Sequence, residues 1–89
     1  MAAAGVRVVD GVVQLHGALL RTEVDALWRA LPAGPVRAID LAGATALDTA
    51  GLALVLELAG RADPAAPVTH APAAFADLCQ AYRLAPPTA

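Results

Sequence analysis

Asp48 and Thr49 put a carboxylate and a hydroxyl at a position where both can act. They open the run Asp48-Thr49-Ala50-Gly51, which leads into a helix pattern with almost no charge, Leu52-Ala53-Leu54-Val55-Leu56-Glu57-Leu58-Ala59. The first backbone N–H groups of a helix lack intrahelical acceptors and carry partial positive charge, so Asp48 or Thr49 can cap them. Capping alone is a common role, worth about 1 kcal/mol. The second role open to this position is a hydroxyl presented at a surface turn, ready to meet a partner or to accept a phosphate. A phosphate there would gain from the helix dipole and be opposed by Asp48, two effects of similar size.

The remaining reactive side chains point to structure. His16 and His70 are far apart in the chain and have no ligand-spaced companion, so they read as surface or core residues and not as a metal site. Cys79 lies in an apolar helical stripe with no base near it in sequence, which is the setting of a core thiol. Asp40 ends a strand and reads as a loop cap, while Trp28 and Tyr82 lie on core stripes and read as packing. Gly43 and Gly51 lack the spacing and the lysine of a phosphate loop. No nucleophile–base pair, metal cluster or paired-carboxylate spacing appears, so the expectation is a non-enzymatic protein without cofactor or metal.

Composition narrows the classes further. With 89 residues the chain is expected to form one domain over residues 1–89. Hydrophobic residues make up 58% and charged residues only 16%, which is more apolar surface than a solvated monomer needs and points to a partner. The net charge is -2 and the six basic residues are all Arg, with no cluster among them, which argues against nucleic acid and anionic lipid as ligands. The single cysteine excludes an internal disulfide and fits a reducing compartment. The N-terminus lacks a charged leader followed by an apolar core. The longest apolar run is broken by Glu57 and Arg61 and falls short of the roughly 20 residues a membrane span needs. A cytoplasmic location without membrane insertion is therefore expected.

The elements that would position Thr49 follow from periodicity. Val6-Arg7-Val8-Val9 and Val12-Val13-Gln14-Leu15-His16 flank Asp10-Gly11, a hairpin signal, with Val13 and Leu15 facing the core and Gln14 and His16 opposite. Gly17 marks a bend. Thr22 with Asp25 suggests a capping box for a helix whose core stripe is Val24, Leu27, Trp28 and Leu31, ended by Pro32-Ala33-Gly34-Pro35. Val36 to Leu41 reads as a buried strand and Ala42 to Leu47 as a loop. A second helix spans about Asp48 to Gly60, Arg61 to Pro67 form a turn, and Val68-Thr69-His70 is a short strand. Pro72 opens a third helix with Phe75, Leu78, Cys79 and Tyr82 at core spacing, and Pro86-Pro87 closes the chain. The order β-β-α-β-α-β-α argues for an α/β fold with a mixed sheet and helices mainly on one face.

Within the second helix, Leu52, Val55, Leu56 and Ala59 form the stripe expected to dock on the sheet. Ala50, Ala53, Leu54 and Leu58 fall outside it, beside Glu57 and Arg61. A helix apolar all round is usually buried on both sides. Leu54 and Leu58 either lean into neighbouring helices or await an outside protein; in so small a domain the expectation adopted is the outside protein.

Ile39-Asp40-Leu41 followed by Leu47-Asp48-Thr49-Ala50-Gly51-Leu52 resembles the signature of STAS domains, in which a strand ending in aspartate leads to an Asp-Ser/Thr-x-Gly turn that opens a helix. Leu15-His16-Gly17-Ala18-Leu19 is similar to that family's second strand and glycine turn. The resemblance covers nearly the whole chain and implies a STAS-like mixed β-sheet. Within the family, the turn and the following Leu52-Ala53-Leu54 are most similar to the branch of small cytoplasmic subunits of Mla-type phospholipid ABC transporters. That likeness implies a non-enzymatic accessory subunit bound to the transporter's ATPase, in a complex with a permease and a periplasmic lipid-binding protein that maintains outer-membrane lipid asymmetry. Its location would be cytoplasmic, peripheral to the inner membrane. The contact would use Asp48, Thr49, Ala50, Gly51, Ala53, Leu54 and Leu58, with Thr49 at the ATPase. The other major branch, the anti-sigma-factor antagonists, is switched by phosphorylation at the position of Thr49; its members usually carry Ser-Ser where this chain has Thr49-Ala50. Many STAS domains add a strand and a helix beyond the third helix, and an end at Pro86-Pro87 suits the compact transporter subunit.

Overall fold

A computed structural model describes residues 4–31, 33–62 and 64–84. Pro32, Asp63, Pro86-Pro87 and the start Met1-Ala2-Ala3 lie outside the described residues. The chain forms a small α/β unit with a mixed sheet and three helices: β1 (Gly5–Val9), β2 (Val12–Leu19), α1 (Arg21–Ala30), β3 (Ala38–Asp40), β4 (Ala44–Leu47), α2 (Thr49–Ala59), β5 (Val68–Thr69) and α3 (Ala73–Ala81).

β1 and β2 pair antiparallel through Asp10-Gly11, both with positive φ (50° and 81°), the backbone a tight primed turn requires. β2 is the central strand. β1 covers one of its edges, and the other edge is shared: β3 pairs in parallel with Val12–Gln14, and β4 in parallel with Gly17–Leu19. β5 pairs in parallel with β3 and ends the sheet. Gly17 has φ 84° and sits where the β2–β4 register shifts, as the expected bend requires.

Val13, Leu15 and Leu19 of β2, Ile39 of β3 and Val68 of β5 are buried on one side of the sheet, with Leu27, Leu52, Leu54, Val55, Leu58, Phe75 and Cys79 from the helices. Gln14 and His16 alternate to the other side, where Gln14 is half-buried and His16 exposed. This alternation marks a sheet covered on one face.

Several expectations are corrected. Ala42 to Leu47 is not all loop, because Ala44–Leu47 is a strand. β3 is too short to occupy the whole free edge of β2, and β4 fills the remainder, anchored by the Gly17 N–H donating to the Gly43 carbonyl at 2.9 Å. β3 regular pairing covers Ala38–Asp40, not Val36 to Leu41, although Val36 and Leu41 are buried. His70 lies just past β5, turned out with φ 55°. Thr22 does not cap α1: that helix begins at Arg21 after Leu20 and receives no cap from its own neighbours' side chains. Tyr82 is not core packing; it stands beyond the last turn of α3 and is 58% exposed. Trp28, by contrast, packs against the core as expected; it is half-buried, with the Arg61 guanidinium 5.2 Å from its ring centroid.

Candidate functional site

The turn at Asp48 joins two helices. One carboxylate oxygen, Oδ1, accepts the Gly51 N–H at 2.9 Å, capping α2 as the sequence suggests. The other, Oδ2, accepts the Arg21 N–H at 2.8 Å. Asp48 thus supplies from 27 positions away the cap that Thr22 does not give α1. These N–H donors, Gly51 first and Arg21 second, hold the Asp48 carboxyl below the usual carboxylate range. Both oxygens are engaged in structure, so Asp48 is positioned to orient the turn and not to act as a base for its neighbour.

Gly51 completes the turn by its size. A Cβ at this position would fall on the Leu19 carbonyl oxygen, so only glycine lets the first turn of α2 lie against the end of β2. That close approach sets the rotation of the whole helix. Gly51, Leu54, Val55 and Leu58 turn inward and are buried, together with Leu52 and Ala59 on the flank. Thr49, Ala53, Glu57 and Gly60 are exposed and Leu56 is half-buried.

The contact set read from sequence is revised accordingly. Leu54 and Leu58 are each 1% exposed and cannot meet an outside protein; α2 packs against both α1 and α3, and its neighbours cover them. Gly51 is buried and Ala50 half-buried. Of the expected residues, Thr49 and Ala53 are exposed, with Asp48 half-buried beside them. Of the stripe assigned to the sheet, Leu52, Val55 and Ala59 are buried, whereas Leu56 is half-buried and borders the outer line.

Leu52, Leu56, Tyr82 and Leu84, not expected as contacts, complete the surface. Thr49, Leu52, Ala53 and Leu56 line a shallow hollow of about 410 Å³ with Tyr82 and Leu84, which follow the end of α3. The exposed fractions of Tyr82 and Leu84, 58% and 43%, make this rim apolar and open. Along the same helix, Ala53, Leu56 and Gly60 continue past Glu57 to Arg61, giving the strip a charged end. The sequence signal for this line is the spacing Thr49, Ala53, Leu56, Gly60, four positions of one helical row whose small members leave room between the larger ones.

The other polar groups lie elsewhere. The Asp40 Oδ1 accepts the Ala42 N–H at 2.9 Å, the loop cap expected of it, and stands 3.0 Å from Nδ1 of His70. Asp40 alternates with buried Ile39, so this pair lies on the sheet face turned away from the helices and apart from Thr49. Cys79 is buried in the core, as expected, and burial pushes its thiol pKa up. Among the described residues no group of three His, Cys, Asp or Glu side chains comes together to hold a metal. No described helix is long and apolar enough to cross a membrane.

No protein-family model matches the chain, and no curated protein matches it.

Proposed function

We propose that the protein is a STAS-like, non-enzymatic accessory subunit. It docks on the cytoplasmic ATPase of a Mla-type phospholipid ABC transporter through Thr49 and the outer line of α2. The observation that carries this reading is the hollow at the start of α2. An exposed hydroxyl, a small Ala53 and half-buried Leu56 stand beside exposed Tyr82 and Leu84, while the adjacent Asp48 is tied down by two N–H donors. The turn is pinned by two hydrogen bonds and the surface beside it is apolar, which suits recognition more than chemistry. The Asp-Thr-Ala-Gly turn that resembles the transporter branch supports the choice of partner.

The subunit acts by differential binding. A ligand that fits one ATPase conformation better than another shifts the population toward it, by no more than the difference in affinity. Filling the hollow removes Leu56, Tyr82 and Leu84 from water, and a well-placed apolar anchor of this kind contributes about 1–2 kcal/mol at an interface. A charge on Thr49 would have to be desolvated there, at a cost. Co-purification of the ATPase with Thr49→Glu and Leu56→Asp variants tests the reading. Both are expected to fold and to lose the partner; folded variants that retain it as wild type does would refute the surface.

The exposure of Thr49 also favours a second reading, an anti-sigma-factor antagonist switched by phosphorylation at this hydroxyl. Mass spectrometry of the protein isolated from cells separates the two. Phosphate on Thr49 supports the switch, and its absence under all growth conditions removes that support.

A further inference from the structure

The sheet face opposite the helices carries a second pattern. The strand registers align Arg7, Gln14, Asp40 and Thr69 in one row across β1, β2, β3 and β5. The adjacent row, toward the hairpin, is Val9, Val12 and Ala38. Arg7 and Asp40 are the only charged residues in these rows, and they stand one strand to either side of β2, at about 4.8 Å spacing per strand. Between and beside them, Gln14, His16, Ala42 and Gly43 floor a trough.

Neither charge is used up among the described residues. Arg7 is exposed and makes no hydrogen bond or ion pair among the described residues. Asp40 spends Oδ1 on Ala42 and His70, and its Oδ2 has no partner among the described residues. Val9 is 42% exposed, an apolar side chain on an otherwise uncovered row.

We propose that this face is a self-association surface on which two copies of the chain stack sheet to sheet about a two-fold axis parallel to β2 and midway between the two sheets. The symmetry follows from the placement. Rotation about this axis carries Arg7 of each copy over Asp40 of the other, Val9 over Ala38, and Val12, Gln14 and His16 of β2 over their own counterparts. Opposite charges therefore meet twice, and like charges do not meet. An isologous contact requires this self-complementarity, and stacked sheets sit about 10 Å apart, within the combined reach of an arginine and an aspartate. The surface lies on the opposite side of the sheet from α2, so it is independent of the docking line at Thr49, and either proposal can fail without the other.

Sedimentation equilibrium of the purified chain up to about 1 mM tests it. The wild type is expected to dimerise, with an affinity that falls as salt rises. Arg7→Glu places two carboxylates opposite each other twice and is expected to weaken association by about tenfold or more. Asp40→Arg does the same with two guanidinium groups. A mixture of the two variants restores both opposite-charge pairs and is expected to associate again as a heterodimer, while each alone stays monomeric. Asp40→Arg also removes the cap on Ala42, so circular dichroism checks its fold; if it is unfolded, Arg7→Glu and the salt series decide. A wild type that remains monomeric, an Arg7→Glu chain that dimerises as tightly as wild type, or folded variants that fail to associate on mixing would each overturn the proposal.

Discussion

The inner and outer sides of α2 are built from nearly the same residue types and differ in exposure. The inner side, Gly51, Leu54, Val55 and Leu58, is closed over by the chain. The outer line, Thr49, Ala53, Leu56 and Gly60, differs mainly in being small at alternate steps and in starting with a hydroxyl. Apolarity alone therefore does not tell an exposed face of this helix from a core face. Size does, since large residues on the inside fill the space under α2, and small ones on the outside leave a hollow that the end of α3 frames.

Substitution can separate the two sides. Leu58→Ala, on the inner side, is expected to cost about 2–5 kcal/mol of stability through the cavity it leaves. Chemical denaturation would read this as a lower midpoint, and a near-neutral result would mean that Leu58 is less enclosed than it is here. Gly51→Ala forces a methyl into the Leu19 carbonyl and is expected to cost about 1–3 kcal/mol or more, also by denaturation.

Asp48→Ala removes caps from two helices at once and is expected to cost about 2 kcal/mol near neutral pH. The pH dependence has a definite direction. The folded pKa of Asp48 is depressed, so its contribution is fully present above the unfolded value of about 3.9 and is lost as pH falls through the lower folded value. The stability gap between wild type and Asp48→Ala should narrow on acidification below about pH 4. A gap that stays constant there would mean that the carboxylate charge does not matter to the caps. The smallest effect on stability belongs to the outer line: Thr49→Ala and Leu56→Ala are each expected to change it by less than about 1 kcal/mol. Their effect should appear in partner affinity instead, measured by titration calorimetry.

The sequence yields the parts of this architecture that rest on local signals. Asp10-Gly11 between valine runs locates the hairpin, and Asp48 and Gly60 bracket α2 to within a residue. The placement of Val13 and Leu15 inside and His16 outside follows from alternation alone. What escapes is non-local or low in contrast. β4 is Ala44-Thr45-Ala46-Leu47, where short side chains give alternation little amplitude, and it becomes a strand only because β3 leaves half an edge of β2 free. The cap of α1 cannot be seen near Thr22, because it arrives from Asp48. The rotation of α2 is hidden for a related reason: with Glu57 as its only charged residue, the helix has no polar arc to phase it, and the contact of Gly51 with β2 makes the choice. Thr49 is legible as the site's hydroxyl, whereas Tyr82 and Leu84 join it only through the packing of α3 beside α2.

The proposed function requires a partner to cover the outer line of α2 and to leave the inner side untouched. A methyl-resolved NMR titration of the labelled chain with the proposed partner, the ATPase of a Mla-type transporter, tests this most directly. Shifts or broadening are predicted at Thr49, Ala53, Leu56 and Leu84, with Leu54 and Leu58 little changed. Saturated binding that leaves Thr49, Ala53 and Leu56 unmoved would contradict the account.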